Sequence, residues 1–93
     1  MIKCIHTGNI LLIGYWDEIS RILRSPRALQ VVQGKEGAGI AMSPIIGVND
    51  AAGIEVEHFT FSFQPDDGMC AHYVKETTGL TLAKSVPSTI RSN

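Results

Sequence analysis

Two Cys-x-His pairs are the most chemically suggestive residues in the chain: Cys4-Ile5-His6 near the start and Cys70-Ala71-His72 near the end. Four such ligands would suit a tetrahedral zinc site. In a strand, Cys4 and His6 share a face, which favours chelation. In a helix, positions two apart point about 200° from each other, so Cys70 and His72 cannot grip one ion. The plainer reading, small apolar cysteines and surface histidines, is adopted, and no metal or other cofactor is expected. His58 lies near Glu55 and Glu57, but no nucleophile or second orienting group accompanies it. Asp66-Asp67 is explained by helix capping, and Gly34, Gly37 and Gly39 lack the strand-to-helix context of a phosphate loop. No catalytic residue is assigned, and the chain is not expected to be an enzyme.

The charge distribution offers a second chemistry. Formal net charge is −1, which makes no global bid for nucleic acid. Yet Arg21, Arg24, Arg27 and Lys35 occur with no acid among them. Glu36, Asp50, Glu55, Glu57, Asp66 and Asp67 then follow with no base among them. A local basic strip can hold phosphates where net charge says nothing. Tyr15 and Trp16 are candidate stacking platforms for bases, although one of them is expected in the core. The blander reading of the strip is a solvated face.

These residues must be positioned by a small core. The chain has 93 residues, 44% of them hydrophobic, which fits one globular domain burying roughly 60–65% of its unfolded surface. No apolar run approaches the roughly 20 residues of a membrane span, and no export signal opens the chain. The two cysteines are read as reduced thiols, and the expected location is cytoplasmic.

The strongest strand signal is residues 54–63, and its phase changes midway. Ile54 and Val56 share one parity, while Phe59, Phe61 and Phe63 share the other. Either both faces are covered, or a bulge near Glu57 and His58 resets the register. If Phe61 is core, Phe61→Ala costs on the order of 3–5 kcal/mol. Pro65-Asp66-Asp67 opens a helix over about 66–78, with Met69, Cys70, Tyr73, Val74 and Thr77 as one stripe and Gly79 as its stop. Earlier strands are read at residues 2–6, 10–16, 27–33 and 38–43, with turns at Thr7-Gly8-Asn9 and residues 34–37. Residues 17–24 fit either a short helix or a kinked strand extension, and extended structure is chosen. Ser25-Pro26 closes that segment. Residues 44–53 form a loop whose Ile45, Ile46 and Val48 cover the barrel or a neighbour. Residues 80–83 are read as an edge strand and residues 84–93 as a flexible tail.

Several short motifs stand in a recognisable order: Thr7-Gly8, Ile13-Gly14, Ser25-Pro26-Arg27, residues 39–44 reading GIAMSP, Phe61-x-Phe63-x-Pro65-Asp66-Asp67, His72-Tyr73 and Thr78-Gly79. Together they resemble the marine, cyanophage-associated Sm-like proteins, over about residues 2–83. The resemblance implies a mainly β fold: a small, strongly bent, five-stranded antiparallel Sm-like barrel with one short C-terminal helix, over residues 1–83. It also implies a homo-oligomeric ring of about five to seven subunits and possible binding of single-stranded RNA or DNA. The alternative is a phage structural or assembly protein whose ring binds another protein, and a phage origin would place it in the host cytoplasm. Sm proteins usually begin with a helix, and this chain begins with a strand. Gly8 to Gly14 is one residue longer than the usual glycine spacing. The Asp-x-x-x-Asn signature is absent after Trp16, and so is the Arg-Gly of the second Sm motif. The uracil-binding residues of the family are therefore not carried over.

Overall fold

The computed structural model describes the backbone of residues 1–85 and the side chains of residues 1–78. The chain is mainly β. Its strands are β1 (Ile2–Thr7), β2 (Ile10–Asp17), β3 (Ile22–Gly34), β4 (Gly37–Pro44), β5 (Ile54–Glu55) and β6 (Phe61–Phe63), followed by one helix, α1 (Asp67–Ser85). The sheet is antiparallel in the order β4-β3-β2-β1-β6, with β5 also on β3. No helix among the described residues is long and apolar enough to cross a membrane.

Local chemistry explains the turns. Thr7 pairs with Ile10 across Gly8-Asn9, with Gly8 at φ 59°. Gly34 pairs with Gly37 across Lys35-Glu36, with Gly37 at φ 113°. Between β2 and β3, the Asp17 carboxylate accepts hydrogen bonds from the Ile19 and Ser20 N–H groups. These bonds, the one from Ser20 first, hold the Asp17 carboxyl below its ordinary range. The segment from Asp17 to Arg24 is thus a turn and a strand, with no helix in it.

The bend in β3 organises the rest. Tyr15 pairs with Arg24 and Ile13 with Arg27, so Ser25 and Pro26 are extra residues opposite Gly14. Ser25 stands at φ 50°, and Pro26 has no N–H for the ladder. The strand therefore continues through Ser25-Pro26 as a bulge. A Cβ at Gly14 would lie 2.8 Å from both Arg24 O and Leu23 Cγ, so the bend requires glycine there.

Beyond the bend, β4 pairs with the outer half of β3 and β5 with the inner end. Residues 56–60 then carry the chain from the β3 edge to the β1 edge. Val56 N–H donates to Arg21 O at 2.9 Å, and Thr60 N–H donates to His6 O at 2.8 Å. The bent sheet thereby closes on an interior of Ile5, Leu12, Trp16, Leu23 and Val56, with Ala28, Ile45, Ile54 and Phe59 against it. The phase change in residues 54–63 is resolved as a break: Val56 and Phe59 both reach this interior.

The other face of the sheet carries Cys4, Ile13 and the helix residue Tyr73, with Ile2, Leu11, Leu29, Met42 and Met69 packed around them. The Tyr73 hydroxyl donates to Ser25 O at 2.7 Å, so α1 is bonded to the bend itself. Asp66 caps the helix by accepting from Met69 N–H at 2.8 Å.

Several expectations are corrected. Phe61 and Phe63 are surface residues, 48% and 42% exposed: they stand on β6, the strand at the end of the sheet path. Gly79 does not stop the helix, which runs to Ser85 through residues 80–83, so no edge strand forms there. Lys84 and Ser85 are helical, and residues 86–93 of the expected tail lie outside the described residues.

Burial predicts a contrast between two rings. Tyr73→Ala should destabilise by about 3–5 kcal/mol, whereas Phe61→Ala should cost about 1–2 kcal/mol. Urea denaturation of both variants checks this, and equal losses would contradict the placement of the two rings.

Candidate nucleic-acid interface and sheet edges

The four cations of the basic strip are held in four different ways. Arg21 bonds Glu57 O through Nη2 at 3.1 Å, and its guanidinium lies 5.6 Å from the centre of Trp16 and 5.5 Å from that of Phe59. Arg24 is half-exposed and 3.7 Å from the Asp17 carboxylate. Arg27 is only 4% exposed. Its two terminal nitrogens each donate to Asp50 at 3.0 Å, and Nη1 also donates to Pro26 O at 2.9 Å. Lys35 is exposed at the tip of the β3–β4 hairpin.

The stacking candidates divide similarly. Trp16 is buried in the interior of the bent sheet, edge-on to Phe59, with its indole N–H on Glu18. It cannot present a face to a base. Tyr15 is 42% exposed and meets Tyr73 edge-on with centroids 5.5 Å apart. Burial, and then the charge of Tyr15, push the Tyr73 phenol up to about 12. The structure thus leaves Arg24, Lys35 and Tyr15 at the surface, Arg21 partly so, and withdraws Arg27 and Trp16.

Among the described residues, no group of three or more His, Cys, Asp or Glu side chains gathers in a way that could hold a metal ion. His72 lies 3.5 Å from Glu76 one turn along the helix. His6 is stacked on Phe61 with centroids 4.8 Å apart and planes within 3°.

That stack begins a feature the sequence reading missed. His6, Phe61 and Phe63 form a continuous aromatic ladder, the second pair 6.2 Å apart, along the β6 end of the sheet. At the opposite end, Val31, Val32 and Ile40 are exposed on the outer β3–β4 hairpin. The register relates the two ends: His6 faces Phe61 on one side and Leu11 on the other, then Leu29, then Met42. Phe61, Phe63, Ile40 and Met42 therefore project to the same side of the sheet, the helix side. Gly39, Ala41 and Ser62 take the other side. The alternating phenylalanines were the available signal, but periodicity identifies a shared face without saying what covers it.

Comparison with family models, curated proteins and solved structures finds no match for this chain.

The two arginines across the bend should differ in stability effect. Asp50→Ala leaves the Arg27 charge buried without its carboxylate and should cost about 2–3 kcal/mol, a value reduced for the half-exposed position of Asp50. Arg24→Ala should change stability by less than about 0.5 kcal/mol. Thermal and urea unfolding measure both; a neutral Asp50→Ala would remove Arg27 from any structural role.

Proposed function

We propose that this chain is a protomer of an Sm-like homo-oligomeric ring of about five to seven subunits, a non-enzymatic protein that holds single-stranded nucleic acid. The observation that carries the reading is the pair of unlike sheet edges. The strand path ends at β4 on one side and β6 on the other, and an unpaired edge invites another chain. Both edges put bulky apolar side chains on the helix side and small ones opposite. Joining β4 of one copy to β6 of the next merges Ile40 and Met42 with Phe61, Phe63 and His6 in one stripe. Because the edges differ, the contact is heterologous, and the proposed ring is the closed form of such a contact.

Each subunit then contributes Arg24 and Tyr15, paired across β2 and β3, with Lys35 at the hairpin tip and Arg21 at the turn before β3. A ring multiplies a few weak phosphate contacts by its symmetry, which lets a chain of net charge −1 hold a strand. One observation favours a second reading, a phage structural or assembly ring whose ligand is a protein: Arg27 is inside the fold and Arg24 faces Asp17, so two of the four cations of the basic strip are engaged by carboxylates.

Assembly is tested by light scattering at micromolar concentration. Wild type should be a closed multiple of the 10.1 kDa chain, and Ile40→Asp and Phe61→Asp should each be monomeric. Mixed together, the two variants retain one intact edge each and should form a one-to-one dimer and nothing larger. A monomeric wild type would sink the ring, and failure of the mixture to pair would sink the β4–β6 seam.

Nucleic-acid binding is tested by fluorescence anisotropy with oligo-U and oligo-A at low and moderate salt. Wild type should bind, weaken steeply with salt, and lose at least about tenfold in affinity on combined Arg21→Ala, Arg24→Ala and Lys35→Ala substitution. No binding at low salt, or equal binding by the variant, leaves the protein-ligand reading.

A further inference from the structure

The helix side of the sheet also contains two thiols that neither the edges nor the cationic surface uses. Cys4 on β1 is fully buried, in the cluster with Ile13 and Tyr73. Its cross-strand partner on β6 is Phe63. Pro65 and the capping Asp66 follow almost at once, so the first turn of α1 starts beside the strand that carries Cys4. Cys70 is in that turn: its N–H donates to Asp66 O at 2.9 Å, and its Sγ lies 3.7 Å from Pro65 O. Tyr73, three residues further on, shares a helix face with Cys70 and packs in the cluster with Cys4. Met69, the residue before Cys70, packs there too. Cys4 thus lies beneath the helix start, and Cys70 is half-buried at its margin.

We propose that Cys4 and Cys70 are a redox-modifiable pair, forming an intramolecular disulfide that staples α1 to β1 when the protein meets a small-molecule disulfide. Cys70, the less buried of the two, reacts first. Its thiolate attacks one sulfur of the reagent, forming a mixed disulfide and releasing one thiolate. Cys4 then gives up its proton, and its sulfur attacks the Cys70 sulfur, expelling the second thiolate. Two protein S–H bonds and one reagent S–S bond are lost; one protein S–S bond and two reagent S–H bonds are formed. The two electrons leave the protein on the reagent. Burial, then the charges of Cys70 and Asp66, push the Cys4 thiol up to about 11, so the second step is the slow one. The bridge would span most of the chain and fix the corner where β6 turns into α1. It depends on the fold alone, so its failure would leave the ring reading untouched, and the reverse holds as well.

The experiment uses the full reduced chain and oxidised glutathione, with acid quenching, intact-mass measurement and peptide mapping under non-reducing conditions. The expected product is a single chain lighter by two hydrogens, with a Cys4–Cys70 linked peptide, reversed by dithiothreitol. Its thermal midpoint should exceed that of the reduced chain by roughly 10 °C. The Cys4→Ala variant should instead stop at a lasting glutathione adduct on Cys70. A lasting adduct in the wild type, a disulfide between chains, or no reaction at all would each overturn the proposal.

Discussion

The fold depends on a gap in hydrogen bonding along one side of β3. A strand that bends at Ser25-Pro26 cannot keep a regular partner through the bend: β4 reaches only as far as Arg27, and β5 begins again at Leu23. Residues between them would expose backbone groups to the interior of the fold, which is costly unless something fills the space. The loop after β4 does so. Asp50 O accepts from Ser25 N–H at 2.9 Å, the Asp50 carboxylate grips Arg27, and Gly53 at φ 74° passes so close to Leu23 O that a side chain there would collide with it. Tyr73 covers the same point from the helix side through its bond to Ser25 O. One irregularity thus fixes the β4–β5 loop and the seating of α1 and takes Arg27 out of solvent.

This explains why the strand pattern was legible and the surface was not. Alternation, Thr7-Gly8-Asn9 and the glycines at 34 and 37 mark the hairpins, because period-two burial and turn chemistry are local properties. Asp66 marks the helix start for the same reason. The helix end is different. A single interior glycine costs about 1 kcal/mol, and the good helix formers Leu80, Leu82, Ala83 and Lys84 follow Gly79, so the apparent stop is overrun.

The candidate site was less legible because side-chain assignment there is set by distant partners. Nothing near Arg27 in the chain distinguishes it from Arg24; its carboxylate arrives from Asp50 across a loop. Trp16 and Tyr15 are neighbours, yet strand alternation sends one into the interior of the bent sheet and the other outward. Phe59 and Phe61 share parity, but the break at residues 56–60 lets the first turn inward while β1 holds the second outside.

The position of β1 also has a consequence for the order of events during synthesis. This strand is made before the others described and pairs with β2 as a local hairpin, but its other neighbour is β6, with Cys4 opposite Phe63. The nascent chain must therefore keep Cys4, Ile5 and their neighbours available until Phe63 has been made, and α1 follows later still. Such distant pairings are slow because the intervening loop must close before any contact rewards it. Growing chains thus carry an open β1 edge and an uncovered apolar face together, and that interval is when a partly made chain is most exposed to pairing with its neighbours on the same messenger.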